Sequence, residues 1–341
     1  MVRPGARNLI TDVAGLRVGH AQDLAVVTGT TVLTADAPFA AVVDVRGGAP
    51  GTRESDALDP ASLAGRADAI VLSGGSVHGL DAASGVTAAL FAAGRGFRLA
   101  PGAPPAPIVP AAILFDLTNG GNKDWGEASP YAALGRAALA AAGEAFPLGN
   151  VGAGLGARAG AYKGGLGSAS AVTDDGYTVG ALAAVNSLGS PLIPGTDVFW
   201  AWPFEQAGEF GGRRPRGEAP NDLDLPADMK GPARPGTNTT IAIVALDADI
   251  SRIELKRIAV MASDGLARAL RPAHTPFDGD LVFALTTATR PVAEPRARAL
   301  LRLGSIAADT LARAIARGVH EARTWGAMKS YRDSFPGGSH G

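Results

Sequence analysis

The apolar positions of this chain follow two rhythms. Short runs, alternating or almost wholly apolar and rich in β-branched residues, predict strands at 28–34, 40–45, 69–73, 107–115, 168–173, 177–185, 239–247 and 280–287. Residues 9–20 alternate around Gly15 and predict a short strand or hairpin, and Asp175-Gly176 is the turn of another hairpin. Helical spacing predicts an Ala-rich helix ending near Ala93, one over 128–143, an amphipathic one from its N-cap Ser251 to Arg271, and a long one over 296–323. A weak helix is expected to open at Asp59-Pro60. Hairpins interrupt any strict βαβ alternation, so the pattern predicts an α/β fold built in layers, with sheet in the middle and helices outside. The length allows one large domain or two of medium size.

One junction departs from this regularity. Residues 195–237 are rich in Pro, Gly and charge, and they pass through Gly236-Thr237-Asn238-Thr239-Thr240 directly into an apolar strand. A loop this long inside a compact domain is expected to be functional or mobile. A Thr hydroxyl at the start of a rigid strand can attack the carbonyl of the residue before it, here Asn238. The peptide would rearrange to an ester, water would hydrolyse it, and Thr239 would become a new N-terminus. Its α-amine, with an ordinary pKa of about 8, would then be a built-in base for its own hydroxyl. The plainer reading is a loop entering a strand, and nothing in the local sequence displaces it.

Composition narrows the field. The 31 Lys and Arg balance 32 Asp and Glu, which leaves neither a basic excess for nucleic acid nor an acidic tail. The basic cluster Arg213-Arg214-Pro215-Arg216 reads as solvated loop. The absence of Cys excludes a thiol nucleophile, a thiolate metal site and a disulfide framework. His20, His78, His274, His320 and His340 show no metal-ligand spacing, so neither a metal nor a cofactor is expected, and His20 and His78 are expected to be structural. The turn Gly74-Gly75-Ser76 could cradle an anion at a helix start. No dinucleotide fingerprint or P-loop lysine follows, so tight packing is the expectation there. With no signal-peptide pattern and no membrane-length apolar run, a cytoplasmic protein with no membrane partner is expected.

Several phrases, taken in order, resemble the self-cleaving L-aminopeptidase/D-esterase and β-aminopeptidase family (the P1 peptidases), which includes the nylon-oligomer (6-aminohexanoate-oligomer) hydrolase. They are Ile10-Thr11-Asp12-Val13 with Arg17-Val18-Gly19-His20, Val43-Asp44-Val45-Arg46-Gly47-Gly48-Ala49-Pro50-Gly51-Thr52-Arg53-Glu54, and Ser73-Gly74-Gly75-Ser76 with Gly79-Leu80-Asp81. Lys163-Gly164-Gly165-Leu166-Gly167-Ser168, Val185-Asn186 and Asn238-Thr239-Thr240-Ile241 complete the set. The resemblance covers residues 9 to 290. It implies a single domain, 1–341, with a four-layer α/β/β/α sandwich resembling N-terminal nucleophile hydrolases. It also implies self-cleavage into chains 1–238 and 239–341, and assembly into homo-oligomers, often tetramers.

Carried over one position at a time, the resemblance makes Thr239 the nucleophile and Asn186 the oxyanion asparagine, a contact worth roughly 3–4 kcal/mol. Lys163 matches a lysine of the nylon-oligomer hydrolase site and would favour proton loss from Thr239. Asp278 and Asp280 match that enzyme's acidic pair, and they would hold the Thr239 ammonium or anchor a substrate amine. Phe115 departs from the pattern, since relatives place there a Tyr that helps the oxyanion. The implied activity is hydrolysis of short peptides, amino-acid amides or ω-amino-acid oligoamides. The alternatives are acyl transfer of the ornithine acetyltransferase type and an uncut, non-catalytic binding member.

Overall fold

The computed structural model describes residues 2–217, 224–231 and 236–336; His340 and part of the Pro-rich loop lie outside the described residues. In chain order the strands are β1 (Val2–Arg3), β2 (Leu16–Asp23), β3 (Thr28–Val45), β4 (Thr52–Arg53), β5 (Arg66–Ser73) and β6 (Ala111–Ile113). They continue as β7 (Arg158–Ala159), β8 (Tyr162–Lys163), β9 (Gly165–Thr173), β10 (Thr178–Asn186), β11 (Thr239–Ala248) and β12 (Leu281–Arg290). The helices are α1 (Asp81–Ala92), α2 (Tyr131–Ala140), α3 (Arg252–Ala269), α4 (Arg296–Glu321) and the single turn α5 (Tyr331–Ser334).

The layers follow from period-2 side-chain alternation in buried strands. In β11, Ala242, Val244 and Leu246 share a core with Ile258 and Leu266 of α3 and Leu311 and Ile315 of α4. The alternate residues Ile241, Ile243 and Ala245 pack instead with Leu33 of β3 and Ile70 and Leu72 of β5. The other face of β5, Ala69 and Val71, meets Val86 of α1 and Leu134 of α2. Three cores between helices, sheet, sheet and helices make four layers, α/β/β/α. Each fully buried Ile or Leu in them contributes on the order of 1.5–3 kcal/mol.

β3 joins the two sheets. Its residues 28–35 pair with β2 and β5, and its residues 40–45 pair with β12. The strand order runs β1-β9-β10-β11-β12-β3-β5-β6-β4. β11 and β12 are parallel, with α3 between them in sequence, while β9-β10-β11 are antiparallel.

Four expectations are corrected. The runs at 28–34 and 40–45 are one strand, because the chain stays extended through exposed Asp36-Ala37-Pro38 and only its pairing register shifts there. The stretch 9–20 is a 3-10 turn at Ile10–Asp12 followed by β2. No helix opens at Asp59-Pro60; a 3-10 turn at Asp56–Leu58 precedes it. The strand expected at 107–115 pairs only at 111–113, since Pro107 and Pro110 have no N–H to give a ladder. The basic cluster is largely exposed, at Arg214, Pro215 and Arg216, while Arg213 pairs with Asp197 and Arg214 with Glu205 at 2.5 Å. The Ser251 cap holds as a capping box, with the Ser251 N–H on Glu254 Oε2 at 2.8 Å. Among the described residues, no helix is long and apolar enough to cross a membrane.

Candidate active site

Three chain segments meet at one end of the larger sheet. Antiparallel pairing sets Asn186, the last residue of β10, opposite Thr239, the first of β11. One residue earlier, Asn238 bridges in parallel to Asp278, in the turn that leads into β12. Thr239, Asn186, Asp278 and Asp280 are therefore brought together, and all four are buried.

The peptide bond before Thr239 is gripped at its oxygen. The Thr239 hydroxyl donates to the Asn238 carbonyl, and the Gly279 N–H donates to the same oxygen at 2.8 Å. Gly279 is required by close approach: a Cβ there would stand 2.7 Å from Thr239 Oγ1 and 2.8 Å from the Ala49 carbonyl. The glycine-rich loop after β3 supports this turn from behind. Gly47 N–H donates to the Asp280 carbonyl at 3.0 Å, and Ala49 N–H to that of Asp278 at 2.8 Å. A Cβ on Gly47 would lie 2.3 Å from the Asp280 nitrogen.

Asn186 has all its hydrogen-bonding positions engaged. Its Oδ1 accepts from the Arg158 N–H at 3.0 Å and from Lys230 Nζ at 2.9 Å. Its Nδ2 donates to the Phe115 carbonyl at 3.0 Å and to the Thr237 carbonyl at 3.4 Å. Phe115 thus serves the site through its backbone, a role indifferent to the loss of a tyrosine hydroxyl.

Two lysines approach Asn186 by different routes. Lys163 is fully buried and does not bond Thr239; its ammonium donates to the carbonyls of Gly154 (2.9 Å), Ala157 (3.0 Å) and Gly164 (2.7 Å). The Ala157–Arg158 peptide therefore takes Lys163 on its oxygen and gives its N–H to Asn186. Burial lowers the Lys163 pKa to about 7, against the opposing charge of Asp116. Lys230 was not foreseen from sequence. It is half-buried as a residue, but its ammonium is enclosed, and burial followed by the charge of Arg158 lowers its pKa to about 7 while Asp278 opposes.

The two carboxylates divide their work. Asp280 accepts the Thr240 N–H at 2.8 Å and the His274 N–H at 2.9 Å, holding the residue that follows Thr239. Asp278 accepts from the Thr275 hydroxyl (2.6 Å), the Thr275 N–H (3.0 Å) and the Leu188 N–H (3.3 Å). Burial and the neighbouring Asp280 both push the Asp278 carboxyl up. His274, a second unforeseen member, places its ring Nδ1 3.2 Å from Asp280. Burial opposes its charge, but Asp280 outweighs burial and its pKa is raised.

The remaining candidates lie apart. The cradle at Gly74–Ser76 is filled from within, as Gly75 N–H donates to the buried Asp116 carboxylate at 2.8 Å. His20 is held by Thr31 at 3.1 Å and packs edge-on against Phe146, and burial lowers its pKa to about 4. His78 is exposed and stacks edge-on with Trp125.

The chain is an amide-bond hydrolase by its family and its relatives. Residues 8–332 match the family model described as Peptidase family S58, and the chain belongs to that family. It is 45% identical over 347 residues to an uncharacterized aminopeptidase of Mycobacterium tuberculosis, covering 97% of this chain and 98% of that protein. It is 31% identical over 297 residues to a 6-aminohexanoate-oligomer endohydrolase of Kocuria sp., covering 83% and 76%. Among solved structures, the fold resembles a β-aminopeptidase of Burkholderia sp. (TM-score 0.66, 24% identity, 94% of this chain and 88% of that one). It also resembles the L-aminopeptidase D-Ala-esterase/amidase of Ochrobactrum anthropi, a variant of the Ntn hydrolase fold (TM-score 0.67, 21% identity, 94% and 88%).

Proposed function

We propose that this enzyme matures by cutting itself between Asn238 and Thr239, and then hydrolyses amides as an N-terminal Thr hydrolase. One observation carries the reading. The Asn238 carbonyl oxygen takes both the Thr239 hydroxyl and the Gly279 N–H, so the bond to be cut is polarised beside its nucleophile. Thr239 Oγ attacks the Asn238 carbonyl carbon, the C–N bond breaks, and the hydroxyl proton passes to the departing nitrogen. Water hydrolyses the resulting ester, leaving a carboxylate on Asn238 and a free amine and hydroxyl on Thr239.

In turnover the Thr239 amine takes the Oγ proton as Oγ attacks a substrate amide, and Asn186 Nδ2 donates to the oxyanion. The leaving amine departs with that proton, and water releases the acyl group. Asp280, through the Thr240 N–H, keeps the first residues of β11 aligned. The substrates are short peptides, amino-acid amides or ω-amino-acid oligoamides. The aminopeptidase and oligomer-endohydrolase relatives support this class, and the Asn238-Thr239 and Asp278/Asp280 pattern leans towards oligoamides.

Intact mass under denaturing conditions tests the proposal. The wild type is expected as two chains separated between Asn238 and Thr239, with Thr239→Ala uncut and inactive and Thr239→Ser cut. A Thr239→Ala protein that matured and cleaved amides would refute it.

A further inference from the structure

We infer that Lys230 is a positioning residue of this site: by donating to the oxygen of the Asn186 amide, it orients that amide and strengthens its Nδ2–H groups as donors to the oxyanion. The inference rests on the self-cleaving hydrolase reading given above.

The geometry leaves the amide one orientation. Asn186 Oδ1 has two acceptor positions, and Lys230 Nζ at 2.9 Å and Arg158 N–H at 3.0 Å fill them. The nitrogen must then face the opposite side, where it meets the carbonyls of Phe115 and Thr237. Thr237 belongs to the segment that ends at the scissile bond. Release of that segment frees one Nδ2–H for a substrate oxyanion, while the contact with Phe115 holds the other.

A cation on the oxygen of an amide draws electron density from its nitrogen. A charge-assisted hydrogen bond is about twice as strong as a neutral one, and linked bonds reinforce each other. Lys230 Nζ also reaches the Asn186 main-chain carbonyl at 3.3 Å, so it grips the residue at two points.

Lys230 is tied to the body of the molecule and not only to the segment that is cut. Its own N–H donates to the Leu188 carbonyl at 2.9 Å. Two residues earlier, Asp228 accepts the Ser190 hydroxyl at 2.6 Å and, at its carbonyl, the Ala161 N–H at 2.8 Å. The lysine therefore remains in place in the mature enzyme.

The charged groups facing its ammonium are Arg158 from β7 and Asp278 from the turn before β12. With a pKa near 7, Lys230 is charged at pH 6 and neutral at pH 9, so its influence on Asn186 fades across that interval.

The test is steady-state kcat on an amino-acid amide between pH 6 and pH 9, measured on protein that intact mass shows to be cut between Asn238 and Thr239. Wild type, Lys230→Met and Lys230→Arg are compared, and near-ultraviolet circular dichroism checks folding. At pH 6 the wild type is expected to turn over on the order of tenfold faster than Lys230→Met, less than the loss from deleting an oxyanion donor outright. The ratio is expected to shrink towards one at pH 9. Lys230→Arg keeps its charge, so its turnover at pH 6 is expected to lie within a few-fold of wild type, and its rate relative to wild type to rise towards pH 9. Equal rates, or a ratio constant with pH, would overturn the inference, the second by showing a purely structural role. If Lys230→Met does not fold or stays uncut, the arginine variant decides: the same pH profile as wild type overturns the inference. A wild type that stays uncut sinks the self-cleavage reading itself, and that result is distinct from any variant effect.

Discussion

Lys163 and Lys230 are both enclosed, both have pKa values lowered to about 7 by burial, and both act towards Asn186. They differ in what they touch. Lys163 is chelated by three backbone carbonyls and reaches Asn186 only through the Ala157–Arg158 peptide. Lys230 touches the Asn186 side chain itself. A buried lysine with a depressed pKa marks a functional neighbourhood, but the bonding partners decide the role. Lys163 organises a loop, whereas Lys230 donates directly to the Asn186 amide.

The comparison can be broken from either side. The largest effect is expected at the residue both lysines serve: Asn186→Leu should slow amide turnover about 100- to 1000-fold, the cost of an oxyanion donor. A steady-state kcat on an amino-acid amide measures this, and a loss of only a few-fold would leave both lysines without a catalytic purpose. Next, Lys163→Met strands three carbonyls. It should destabilise the fold by on the order of 3 kcal/mol, read as a lower urea midpoint, with a smaller effect on amide turnover than Lys230→Met. The reverse ranking would exchange the two roles.

The smallest effect is a slope. Folding moves the Lys163 pKa from 10.5 to about 7, so between these values the unfolded chain binds more protons than the folded one. Stability must therefore rise with pH through this window, by at most about 1.4 kcal/mol per pH unit from this group. Urea midpoints at pH 7, 8 and 9 should climb less steeply in Lys163→Met than in wild type.

Much of the architecture was legible because it rests on local chemistry. The β9–β10 hairpin followed from Asp175-Gly176, the start of α3 from Ser251, and β11 from its apolar run. The continuity of β3 was not, because exposed Asp36-Ala37-Pro38 looks like a break when its pairing partners are unknown. Thr239, Asn186, Asp278 and Asp280 could be singled out because each sits in a short phrase with a recognisable neighbourhood. Lys230 and His274 sit in none. The Gly279 and Arg158 N–H donors carry no side-chain signal at all, since every residue but proline has one.

The sequence by itself determined the alternation that makes strands two-faced, the caps that start helices, and the Thr at the mouth of a buried strand. These depend on residues a few positions apart. Only the tertiary structure decided that Asn186 lies opposite Thr239, that the 276–280 turn closes over the Asn238 carbonyl, and which buried lysine reaches the Asn186 amide. Those facts arise from strand register and from the desolvation of charges between distant segments, and neither is a property of any local stretch.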